Sequence, residues 1–199
     1  MDIFAFRKAE LKEFISTTAQ ALEKTTSPPE AIQIISSVLQ KYTIFDLQKI
    51  GAHILLEVEK LPDPYRKKYR PYSGDLLNRF HEFISAKNSG AAVKQIRDTA
   101  LWKTYWAEAA KACFSDEVSQ NDPRPELTGP AGKFFYRLIY GYTMLIADKP
   151  GHPVGMPFPG GWTVREKDGK ILCPIRDKEK DLPQALCNFC PAVQDPDCK

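Results

Sequence analysis

Four of the five cysteines in this 199-residue chain, Cys173, Cys187, Cys190 and Cys198, fall within its last 27 residues. The two-residue gap in Cys187-Asn188-Phe189-Cys190 lets both thiolates reach one ion from a single tight turn. Cys173 is delivered separately, near the end of a short hairpin, as in zinc ribbons and knuckles. Cys198 is the expected fourth ligand. His152 is the substitute for it, although a lone histidine before proline in a turn is more often structural. Tetrahedral thiolate sets suit zinc, which is the first expectation for the cofactor, and four cysteines can equally hold an iron–sulfur cluster, which is the alternative. A redox Cys-x-x-Cys wants a βαβ context before it, and none is present.

A second segment with chemistry in its composition runs from Tyr65 to Tyr72. It interleaves Arg66, Lys67, Lys68 and Arg70 with three tyrosines, the mixture of a surface that tracks phosphates and stacks bases. A solvated interhelical loop is the simpler reading. The formal charge of the chain is only +3, short of a dedicated nucleic-acid binder, so a nucleic-acid partner is allowed by composition but not favoured.

The elements that must position these residues are mostly helices. Over residues 1–147 apolar positions recur three and four apart, which predicts about six helices. The first covers Asp2 to Lys24. The second starts at Ser27-Pro28-Pro29-Glu30, with serine as N-cap, prolines in the first turn and Glu30 placed for a capping box. Thr43 opens the third, which Pro62 and Pro64 stop. A loop from Pro62 to Gly74 precedes the fourth, which ends at Asn88-Ser89-Gly90. The fifth runs from about Ala91 to Cys113, with Trp102, Tyr105, Trp106 and Cys113 read as packing residues. Asp122-Pro123-Arg124-Pro125 must be a non-helical connection, and Thr128 caps the sixth helix, whose stripe runs from Phe135 to Ile146.

Composition changes at Lys149-Pro150-Gly151. The twelve residues from Pro150 to Gly161 hold four prolines and four glycines, which excludes helix. Trp162 to Val164 and Ile171 to Cys173 flank Lys167-Asp168-Gly169-Lys170, a hairpin signal. The expected organisation is an α-helical domain, residues 1–147, and a cysteine-rich metal-binding region, residues 148–199. The tail has few large apolar residues beyond Phe158, Trp162, Ile171 and Phe189. A structural zinc site contributes on the order of 10–16 kcal/mol in small peptides, enough to stand in for a core. Loss of the metal is therefore expected to unfold the tail and spare the helices.

Other classes are disfavoured. The greasy stretch from Phe134 to Ala147 is interrupted by Arg137 and is too short to cross a bilayer. The start carries an acid at Asp2 and no signal-like apolar run, so the expected location is cytoplasmic, with reduced thiols. Phosphate-loop, dinucleotide, His-Glu-x-x-His and paired Glu-x-x-His motifs are absent. No catalytic residue is indicated, and whether the chain is an enzyme stays open.

Three runs carry a resemblance: HPVGMPFPGGW from His152 to Trp162, LCPI from Leu172 to Ile175, and LCNFCPAVQ from Leu186 to Gln194. Over about Gly151 to Gln194 the chain resembles an uncharacterised archaeal family found chiefly in methanogens. The resemblance implies a cytoplasmic protein of an anaerobe, which favours the iron–sulfur alternative, and it brings no activity or catalytic residue. The reading that follows is a mainly α protein with a small Pro/Gly-rich metal-binding tail. The expected role is a non-enzymatic binding or assembly module with a protein partner, since four cysteines around zinc leave no open coordination position; an iron–sulfur protein for electron transfer or metalloenzyme maturation is the alternative.

Overall fold

The computed structural model describes residues 3–89, 95–115 and 128–198. Its first element is not the continuous helix expected from residue 2. Ile3–Ala5 forms one 3₁₀ turn, and α1 (Lys8–Lys24) begins after Arg7, which is extended and shares a capping box with Glu10. The break draws Ile3 into the core, where its N–H donates to the carbonyl of Lys41 at 3.3 Å. Along α1 the buried residues Leu11, Ile15, Ala19 and Leu22 make one stripe, at the spacing a helix needs to pack.

Helix α2 (Pro28–Leu39) starts where expected, but the capping differs. The Ser27 side chain makes no cap bond; Glu30 accepts from the Thr25 hydroxyl, which also accepts the N–H of Ser27. Helix α3 (Ile44–Glu59) has the capping box on Thr43 and Asp46, with Thr43 donating to the carboxylate at 2.7 Å from both N–H and hydroxyl. The segment after it, expected as a loop, contains the short helix α4 (Tyr65–Tyr69) and a 3₁₀ turn at Arg70–Tyr72.

Helix α5 (Asp75–Ser89) is followed by α6 (Thr99–Phe114), which begins at a capping Asp98 rather than near residue 91. Asp98 accepts from the N–H groups of Ala100 and Leu101, both at 2.9 Å. The expected stop at Gly90 and the Asp122-to-Pro125 connection lie outside the described residues. Helix α7 (Pro130–Leu145) is capped by Gly129 with proline in its first turn, not by Thr128. It is buried on nearly all sides and packs against α1, α2, α5 and α6. Gly141 makes this possible: a methyl group there would come within 2.8 Å of Trp106 and 2.9 Å of Tyr105.

The chain turns out of α7 into a Pro/Gly-rich loop that pairs with itself, Phe158 N–H to Trp162 carbonyl at 2.7 Å and Val164 N–H to Met156 carbonyl at 3.0 Å. These bonds hold residues 162–164 in the loop. The hairpin strand expected there begins one residue later, as β1 (Arg165–Lys167), antiparallel to β2 (Lys170–Cys173). Asp168 and Gly169 turn between them with φ of 51° and 71°, the left-handed pair that a two-residue hairpin requires. Strand β3 (Val193–Gln194), unmarked by any residue pattern, runs parallel to β2 and closes a three-stranded sheet.

Tail and helices share one core. Met156, Val164, Cys173, Phe189, Cys190 and Ala192 belong to the same buried cluster as the helix stripes. Of the four expected tail anchors, Phe189 is fully buried, edge-on to Tyr105 with centroids 5.0 Å apart. Phe158 and Ile171 pack partly against the cluster, and Trp162 is 43% exposed.

Candidate metal centre

Cys173 ends β2 and is buried; its carbonyl accepts the N–H of Asp195 at 3.0 Å, which ties β2 to the last turn of the chain. Cys187 lies within the 3₁₀ turn Leu186–Phe189 and Cys190 caps its end, with Cys190 N–H donating to Cys187 carbonyl at 3.1 Å. Asn188 braces the turn through Leu182 carbonyl at 2.8 Å. With Phe189 sunk in the core between them, the two cysteines have little freedom to shift.

The Pro/Gly loop meets both groups at consecutive residues. Gly151 N–H donates to the Cys190 sulfur at 3.2 Å, and His152 Nδ1 lies 3.8 Å from the Cys173 sulfur. Tetrahedral geometry with Zn–S near 2.3 Å and Zn–N near 2.0 Å puts such a pair of donors about 3.6 Å apart. Cys187, Cys190, Gly151 and His152 line one cavity. Cys198 lines a different one, with Phe158, Trp162, Ile175 and Gln194. Among the described residues, no three His, Cys, Asp or Glu side chains are gathered closely enough to enclose an ion as they stand.

The electrostatics bear on what the donors can hold. Burial, reinforced by the nearness of Cys173 and Cys190, pushes the Cys187 thiol up to about 11, and burial also raises Cys173. Thiols so placed are protonated at neutral pH, and a cation is what would make them thiolates. Burial holds His152 below its ordinary value, so its imidazole is neutral, the form that binds metals. Thiols and a neutral imidazole are donor types that zinc takes. Cys113 is elsewhere, sealed in α6 with its thiol pushed by burial up to about 12.

A buried polar network on the helices fixes the loop. Arg79 on α5 donates to Asp75 at 2.6 Å and to the carbonyl of Gly151 at 3.2 Å, while Tyr140 on α7 donates to the same Asp75 oxygen at 3.1 Å. Arg97 reaches Phe189 carbonyl at 2.8 Å and Arg137 reaches Gln184 carbonyl at 2.6 Å. At the start of β1, Arg165 grips Asp195 with two bonds of 2.7 Å and also pairs with Asp197; Asp195 is 1% exposed, and these bonds hold its carboxyl below the usual range. Sequence reading missed these positioning residues. The one signal available was Arg137, a charge interrupting an apolar run.

The basic and aromatic segment is placed differently from a stacking platform. Tyr65 donates to Pro157 carbonyl at 3.3 Å, Tyr72 lies against Gly155, and Tyr69 and Tyr72 pack on the core. Arg66 pairs with Asp63 at 2.6 Å and Arg70 with Glu59 at 3.0 Å, while Lys67 and Lys68 are exposed. The tyrosines are used to dock the loop that carries His152.

Fold and site together define a mainly helical protein whose cysteine-bearing tail is built onto the helical core. Residues 29–195 match the family model described as an uncharacterized protein conserved in archaea (DUF2115), and the chain belongs to that family. A UPF0305 protein of Methanothermobacter thermautotrophicus is 49% identical over 62 residues, 29% of this chain and 40% of the relative. One from Methanopyrus kandleri is 33% identical over 84 residues, 42% of this chain and 59% of the relative. One from Methanocaldococcus jannaschii is 24% identical over 165 residues, 81% and 92% of the two chains. The first of these matches thus spans less than half of its relative's length. No solved structure matches the chain, and no described helix is long and apolar enough to cross a membrane.

Proposed function

We propose that Cys173, Cys187 and Cys190 bind one metal ion, zinc, with His152 as the fourth ligand in preference to Cys198, and that the ion fixes the tail as a recognition surface for a protein partner inside the cell. The observation that carries this reading is the pair of contacts at Gly151 and His152, which set one loop against cysteines from two separate elements. The preference for His152 follows from the 3.8 Å approach to Cys173 and from the position of Cys198 on another cavity. Zinc, when bound, would supply a cross-link between β2, the Cys187–Cys190 turn and the loop. The residues of the chain do the rest: Arg79 and Asp75 hold the loop, and Phe189 holds the turn.

Metal analysis with a visible spectrum, on protein purified without oxygen, tests the reading. One zinc per chain and a colourless solution is the expected result. Absorbance near about 400 nm with iron and sulfide would replace zinc by a cluster and the binding module by an electron carrier. A protein free of metal in both assays would overturn the site. Cys113→Ser should leave the metal content unchanged and serves as the control.

A further inference from the structure

We infer that the outer face of α3 is a dimer interface, on which a second copy of this chain packs with its own α3 antiparallel. The inner side of the helix is used by the fold, through the buried residues Asp46, Ile50, His53 and Val58. The side turned away from them is apolar as well. Ile44, Phe45, Leu55 and Leu56 are 63%, 70%, 48% and 55% exposed, and Gln48 and Ala52 are exposed between them. A single exposed leucine needs no explanation, but four large side chains on one side of one helix make a patch. The other large apolar side chains exposed among the described residues, Val154, Trp162, Leu182 and Val193, come from separate stretches of the tail.

The spacing says what covers the patch. Phe45, Gln48, Ala52 and Leu55 follow one another at three, four and three residues, the a and d positions of a seam between two helices. In an antiparallel pair each a position faces a d position, so Phe45 meets the partner's Leu55 and Ala52 meets the partner's Gln48. The two bulky layers then lie outside and the two slimmer ones lie between them. A parallel pair would instead set the next a position, Glu59, against its own copy, like charge against like; the antiparallel pair carries Glu59 past the end of the seam. The four large side chains expose on the order of 500 Å² per copy. Two copies would bury about 1,000 Å² from these alone, which reaches the lower range of specific interfaces before Gln48 and Ala52 are counted. Both ends of the seam are also fixed in advance: Thr43 and Asp46 close a capping box about Phe45, while Arg70 holds Glu59 at 3.0 Å and Arg66 donates to its carbonyl at 3.1 Å. Little order remains to be lost on association. The inference rests on α3 alone and does not require the metal.

Sedimentation equilibrium of the full chain under reducing conditions, at concentrations up to about 500 µM, tests it. The mean mass should rise with concentration from that of one chain towards that of two. Phe45→Glu should raise the dissociation constant at least tenfold, and so should Leu55→Lys; both positions are exposed, so neither change enters the core. An equimolar mixture of the two variants should associate at least tenfold more tightly than either alone. The antiparallel pair would set the introduced glutamate beside the introduced lysine and leave the other layer of Phe45 on Leu55 intact. A loss of folding in one variant would not reproduce that rescue. A wild-type chain that stays monomeric throughout would leave the face to a different protein and overturn the inference. So would a dimer that either variant leaves unchanged, or a mixture no tighter than its parts.

Discussion

The helices and the tail are held by different means against one core. In α1, α2, α6 and α7 apolar stripes meet one another, and buried hydroxyl and indole groups reach backbone carbonyls: Tyr42 to Ala131 at 2.7 Å, Trp102 to Leu22 at 2.6 Å. In the tail a few apolar anchors are supplemented by arginines of the helical half, Arg79 and Arg137 on helices and Arg97 just ahead of α6, each donating to a tail carbonyl at Gly151, Gln184 or Phe189. The difference teaches that a segment poor in large apolar residues can still be positioned sharply when its backbone acceptors are matched by long cationic donors anchored elsewhere.

The largest effect should come from Phe189→Ala, which removes the largest fully buried side chain of the tail and should cost about 3–5 kcal/mol. If tail and helices share a core, calorimetry will show a single transition at lower temperature; two separate transitions would break the comparison into two independent units. Asp75→Ala should cost about 3 kcal/mol, since it leaves Arg79 buried without its carboxylate. The loosened Gly151 carbonyl should then appear as faster amide exchange around residues 151–152, with α1 and α2 unchanged. Gly141→Ala should cost about 1–3 kcal/mol by forcing Trp106 and Tyr105 away from α7. That loss begins on the helical side, reaches the tail only through the contact of Tyr105 with Phe189, and should leave metal content intact.

A smaller and pH-dependent effect is expected from His152. Its pKa is lowered in the folded state, chiefly by burial, from an ordinary value of 6.5. Below that pH the unfolded chain takes up a proton that the folded one resists, so stability is full above 6.5 and falls as pH drops towards the folded value. His152→Gln should flatten this dependence in denaturant midpoints measured between about pH 7 and 5. Smallest of all, Arg70→Ala removes an exposed pair with Glu59 and should change stability by less than about 1 kcal/mol.

Much of the helical half was legible because period and capping chemistry are local: Thr43 with Asp46, and Pro28 in a first turn, mark helix starts in the sequence itself. The false steps at Ile3, Ser27 and Thr128 have local causes too, where a neighbouring residue, Arg7, Thr25 or Gly129, took the capping role. The hairpin was legible from Asp168-Gly169. Strand β3 was not, because two residues, Val193 and Gln194, carry no periodicity and pair with β2 across twenty residues of intervening chain. The candidate ligands could be named from spacing, but the approach of His152 to Cys173 depends on Arg79 and Asp75, which sit more than seventy residues upstream and look like ordinary surface charges in the sequence.

X-ray absorption at the metal edge of the anaerobically purified protein tests the central claim most directly, because it counts the donor atoms on the ion. Three sulfurs near about 2.3 Å with one nitrogen near about 2.0 Å is the expected shell, falling to two sulfurs in Cys187→Ser and losing its nitrogen in His152→Gln. A shell of oxygen and nitrogen only, or one unchanged in Cys187→Ser, would contradict the account.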